Sequence, residues 1–169
     1  MKKLLMALLG LSLCLGFTAC GDDDDNDSSG SGVMKLNGKD YALTYGFYDT
    51  AQDDCVSFEF SNFNLANPSG SIPKKIDMLY FNIEGITSLE PGTYNVVIEF
   101  SSSSTSDEEV SYPGAAGSVS LTLEKDGSNY KITIPETTVS YYPSGDEAES
   151  IEASFSFSWT GQLKYCEPD

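Results

Sequence analysis

The sequence predicts an all-β protein: a single antiparallel β-sandwich, with a small closed β-barrel as the alternative. Three observations predict it. Apolar and polar residues alternate with a period of two along most of residues 33–169. Turn signals at Asn37-Gly38, Pro91-Gly92 and Asp126-Gly127 separate the alternating stretches. Beyond residue 19 there is no long helical period.

The chain opens differently. Lys2 and Lys3 precede an apolar run from Leu4 to Phe17, and the small residues Thr18 and Ala19 precede Cys20. That is the pattern of a secretory signal, and the run is shorter than the ~20 residues that cross a bilayer. An ordinary signal peptide cut after Ala19 would leave Cys20 incidental. The stretch "FTAC" resembles the lipobox of bacterial lipoproteins, although Phe17 stands where that family usually has Leu. The resemblance implies that Cys20 becomes the first mature residue and carries a diacylglycerol. Acyl chains there would anchor the protein to a membrane, each buried CH2 contributing roughly 0.8 kcal/mol.

Asp22, Asp23, Asp24, Asp25 and Asp27 follow, and then "SSGSG". Like charges repel and Ser/Gly runs stay flexible, so residues 20–32 read as an extended tether. An acidic patch directly after a lipid-bearing cysteine also resembles the surface-export signal of Bacteroidota lipoproteins. That resemblance makes Asp22 to Asp25 the export signal. It implies an outer-membrane location facing the outside. The organisation expected is a signal peptide over 1–19, the tether over 20–32 and one β-domain over 33–169, long enough to bury a core.

Within the domain the elements follow in order. "VMKLNGKDYALTYGFY" is a hairpin about Asn37-Gly38. "CVSFEF" sets Val56, Phe58 and Phe60 on one face, and the phase then slips near Ser61-Asn62, suggesting a bulge or turn. Leu79, Phe81 and Ile83 alternate, as do Tyr94, Val96, Ile98 and Phe100 after the Pro91-Gly92 turn. Val119, Leu121 and Leu123 pair by pattern with Tyr130, Ile132 and Ile134 across Asp126-Gly127. A short strand over "TTVSYY" leads to an acidic loop. The last stretch keeps Ile151, Ala153, Phe155, Phe157, Trp159, Leu163 and Tyr165 apolar, with a bend at Gly161. The total is about eight or nine strands.

Composition excludes whole classes of function. The formal net charge is −17, and all nine basic residues are lysine, with no arginine and no histidine. A nucleic-acid partner needs a basic footprint. Arginine phosphate clamps, Ser-His or Cys-His nucleophiles and histidine metal sites cannot be built. The sequence therefore calls for no cofactor and no metal. Of four cysteines, Cys14 leaves with the signal and Cys20 takes lipid. Cys55 and Cys166 remain, each on the phase opposite its apolar neighbours, so both are expected to face outward and to pair. A disulfide closing so long a loop would stabilise by roughly 2–4 kcal/mol.

"LNGKDYAL", "LEPGTY", "GSVSLTLEKDGSNYKITI" and "FSFSWTGQLKY" are similar, in this order, to segments of small β-sandwich lipoproteins of Bacteroidota. The resemblance runs from about Lys35 to Tyr165. That family has no agreed catalytic residues, so it transfers no site and implies only an extracytoplasmic domain on a lipid tether.

Three chemistries are conceivable. Paired carboxylates, from Glu108, Glu109, Asp146 and Glu147, could hydrolyse glycosides, but they lie in polar loops where solvated charge is the plain reading. The acidic loops could take calcium, yet none has the D-x-D-x-D-G spacing. Aromatics could stack on sugars. Trp159 is in phase with the core, whereas Tyr48 and Tyr142 are out of phase and are the candidate ligand aromatics. The expectation is a non-catalytic binding or structural module. It would be either an accessory glycan-binding protein or a fimbrial or envelope subunit, and its partners a membrane through the lipid and a glycan or envelope protein.

Overall fold

A computed structural model describes residues 30–50, 54–65, 72–104, 113–143 and 149–166. Among them are ten strands and no helix. β1 (Gly30–Leu36) and β2 (Lys39–Ala42) form the hairpin expected at Asn37-Gly38, and both turn residues have positive φ, 49° and 76°. A type I′ turn requires that geometry. β3 (Tyr45–Asp49) and β4 (Cys55–Ser61) follow, then β5 (Lys75–Glu84), β6 (Gly92–Ser104) and β7 (Gly114–Asp126). β8 (Asn129–Tyr142), β9 (Ile151–Gly161) and β10 (Lys164–Tyr165) complete the chain.

The strand order is β10-β3-β4-β5-β6-β7-β8-β9-β1-β2. The all-β class follows from the alternation, but two finer expectations are corrected. The strands form one curled sheet, a half-barrel, where two facing sheets were expected. The reason is local: β3 to β9 pair consecutively, so no connection carries the chain to a second sheet. Nor is the sheet purely antiparallel, because β10 pairs with β3 in parallel. β3 continues the line of β2, and β10 continues that of β9. Since β2 and β9 flank β1 antiparallel on either side, their continuations run the same way.

One core fills the concave face. Phe58 and Phe81 stack at 5.0 Å, and Phe60 meets Phe157 edge-on at 5.0 Å. Each such ring contributes about 1.5–3 kcal/mol by leaving water. Trp159 is fully buried at 5.2 Å from Phe60, and its indole N–H donates to Thr44 O at 3.4 Å. A Cβ on Gly32 would come within 2.4 Å of that indole and 2.5 Å of Leu43 O. The glycines therefore belong to β1, which begins at Gly30, inside the stretch expected to be tether.

Leu43 and Thr44 join β2 to β3 and tie it to β1. Leu43 N–H donates to Gly32 O at 3.0 Å, and Gly30 N–H donates to Thr44 O at 2.8 Å. The side-chain phase slips there by one residue. Tyr41 and Leu43 point into the core, but across the ladder it is Gly46 and Tyr48 that stand opposite the core residues Phe60 and Phe58. Phe47 turns to the convex face, opposite Glu59, and is still buried.

Candidate functional site

β5 and β6 are neighbouring interior strands, with Leu79 opposite Phe100 and Phe81 opposite Ile98 on the core side. Period two then sends the alternate residues outward. These are Tyr80, Asn82 and Glu84 on β5, and Thr93, Asn95, Val97 and Glu99 on β6. Between them lies a groove of about 440 Å³ on the convex face. Tyr80 faces Glu99 across the ladder and Glu59 on its other side, so the three form one row over β4, β5 and β6.

The groove is rich in acceptors. Its charged lining groups are Glu84 and Glu99, and no lysine lines it. The Asn82 amide oxygen is shut off from solvent and has no hydrogen-bond partner. Tyr94 borders the groove from the core side of β6: its ring packs against the core and its hydroxyl donates to Glu90 O at 2.7 Å. Val97 is 58 % exposed and gives the floor an apolar spot. Beside the groove, burial pushes the Glu59 carboxyl up to about 7, helped by the negative charge of Asp49. Asp49 pairs with Ser57 and is therefore the diagonal neighbour of Glu59 on the convex face.

A second polar cluster sits where β5 begins. Lys75 Nζ lies 2.7 Å from Asp77 Oδ1, and Ser102 Oγ donates to the same oxygen. The Lys75 ammonium stands 5.0 Å from the centre of the Tyr41 ring, and Phe100 meets that ring edge-on at 4.9 Å. Asn62 fixes this end of β5: its amide donates to Lys75 O at 3.2 Å and accepts from Asp77 N–H at 3.1 Å. The Tyr41 hydroxyl is buried without a partner. Burial raises its pKa first, then the nearby Tyr141 and Asp77. The cluster ties β2, β5 and β6 together.

Cys20 and Asp22, Asp23, Asp24 and Asp25 lie outside the described residues, as do Glu108, Glu109, Asp146 and Glu147. Cys55 and Cys166 fall on the convex phase as expected, but they are buried and no disulfide joins them. The correction is geometric. Cys55 opens β4 and Cys166 follows β10, with β3 between them. Two strand spacings of ~4.8 Å put the Cα atoms roughly 10 Å apart, beyond the ~7 Å a disulfide can bridge. Burial, followed by the Glu84 charge, raises the Cys55 thiol pKa and keeps it protonated.

The two ligand aromatics do not come together. Tyr48 is half-buried on the concave side, packed against the core and 5.3 Å from the Tyr165 ring. The slip at Thr44 put it there, against the expectation of an exposed ring. It lies near Tyr130, at the start of β8. Tyr142, also half-buried, is the last residue of that strand. The apolar half of "IDMLYFNIE" and "TYNVVIEF" announces only the core. Alternation itself marks Tyr80, Asn82, Asn95 and Glu99 as the convex half. No known protein family, characterised protein or solved structure matches the chain.

Proposed function

We propose that this chain is a lipid-anchored protein of the outer-membrane surface whose half-barrel is a non-catalytic binding module. Its ligand face is the β5–β6 groove. One observation carries the reading: the convex groove gathers two amides, the Tyr80 ring and two carboxylates where the core needs none of them. The anchor is Cys20, read from the lipobox. Extended, the chain from Cys20 to Gly30 reaches at most roughly 35 Å, so the module stays at the membrane.

For the two carboxylates that line the groove, Glu84 and Glu99, spacing supports the non-catalytic part. Continuing the ladder from Phe81 opposite Ile98 puts Glu84 level with Asn95, four positions from Glu99 along β6. That offset is ~13 Å. Glycoside hydrolysis needs its two carboxyl groups about 5–9.5 Å apart. The edges argue against an envelope subunit, because β2 offers four residues and β10 two to an incoming strand.

Proteinase digestion of intact cells tests the placement. The wild-type chain should be cleaved at the surface. Cys20→Ala should leave the membrane fraction, and Asp22–Asp25→Ala should be protected from the protease. A wild-type chain that stays protected on intact cells overturns the reading.

A further inference from the structure

We infer that the β5–β6 groove takes hydroxyl-rich oligosaccharides without negative charge, neutral or amine-bearing, and turns acidic ones away. The inference rests on the binding-module reading above and names the ligand of that site. Three features on the convex face carry it.

The first is the polar inventory. Asn95 offers a donor and an acceptor from one planar amide, the arrangement that spans adjacent hydroxyls of a sugar ring, and Asn82 offers its amide N–H. Tyr80 supplies a flat apolar face with a polar tip, suited to the C–H side of the same ring. The second is the sign of charge. Glu84 and Glu99 line the groove without a lysine. The ligand must therefore bring donors, as hydroxyls and ammonium groups do. A uronate or sulfate set against Glu99 would meet like charge and find no cation to pair with. The third is the position in the sheet. A peptide docking on a sheet uses the unpaired backbone of an edge. β5 and β6 are interior and paired on both sides, so recognition falls to side chains.

The test is an oligosaccharide array probed with the mature chain, followed by titration calorimetry on the hits. The array carries neutral, glucosamine-containing, uronic-acid and sulfated oligomers. Neutral or glucosamine oligomers should bind and the acidic ones should not. Asn82→Ala, checked for an unchanged unfolding midpoint, should weaken binding about tenfold. Glu99→Lys should admit a galacturonate oligomer that the wild type rejects. Equal or better binding of acidic oligomers by the wild type overturns the inference, and so does unchanged affinity in both variants. Binding of no saccharide also overturns it. The surface-anchored reading stands or falls separately, on the protease experiment.

Discussion

Glu59→Gln is expected to stabilise the protein at pH 8 and to do nothing at pH 4. The carboxyl is buried between Phe47 and Tyr80 on the convex face, beside Asp49. Its folded pKa is raised from the ordinary 4.5 to about 7. A carboxyl that holds its proton more tightly when folded gives a folded state that binds more protons between those two values. Stability then falls as pH rises through that window and levels off above it. At 1.36 kcal/mol per pH unit, the full cost of ionising Glu59 is on the order of 3 kcal/mol. Glutamine keeps the shape of the protonated acid and never ionises. Urea unfolding of both proteins from pH 4 to pH 8 isolates the effect, because every other titrating group is common to the two. The difference in unfolding free energy should be near zero at pH 4, grow mainly between pH 4.5 and 7, and reach a plateau of about 3 kcal/mol. A difference that is flat across that range would refute the argument, as would a variant less stable than wild type at pH 8.

Gly32→Ala is expected to cost about 3 kcal/mol in urea unfolding, because the new methyl meets the buried indole and a backbone oxygen together. Gly38→Ala is the control: nothing lies within 4 Å of a Cβ there, and the positive φ alone should cost roughly 1 kcal/mol. Trp159→Ala should cost roughly 3–5 kcal/mol and broaden the thermal transition, since the residue is fully buried against Phe60. Thiol titration of a form starting at Gly30 should find Cys55 and Cys166 unreactive while folded and both reactive once unfolded without reductant. A disulfide-linked peptide joining them in mass spectrometry would contradict the strand order.

What the sequence made legible was the concave face. Val56, Phe58 and Phe60, or Phe155, Phe157 and Trp159, alternate without interruption, and burial of one face tolerates no other register. The hairpin at Asn37-Gly38 was legible for the same kind of reason, and so was the one expected at Asp126-Gly127, whose loop is Gly127-Ser128, one residue on, with Asp126 paired to Asn129. Closure was not. Whether a row of hairpins makes two sheets or one curled sheet depends on where the chain leaves β1 at the end of β2 and joins β4 as β3. A single slipped residue at Thr44 decides that. The slip also sent Tyr48 inward and Phe47 outward, against the parity counted from Tyr41. The glycines of "GSG" read as linker by composition, and only the indole of a residue far along the chain shows why no side chain fits there.

The convex face obeys a different logic. Its residues are not fixed by burial in one shared core, so their types carry information that the concave face cannot. Glu59, Tyr80 and Glu99 come from three strands and are far apart in sequence, yet consecutive hairpins set them in one row. A soluble sheet needs only some polar residue at each of these positions. A buried glutamate beside an aspartate is a costly way to meet that need, and so is an asparagine whose oxygen has no donor. Solubility is already secured by a formal charge of −17. Costs that solubility does not require, in the Asn82 that lines the groove and the Glu59 beside it, support the proposal of a ligand site there.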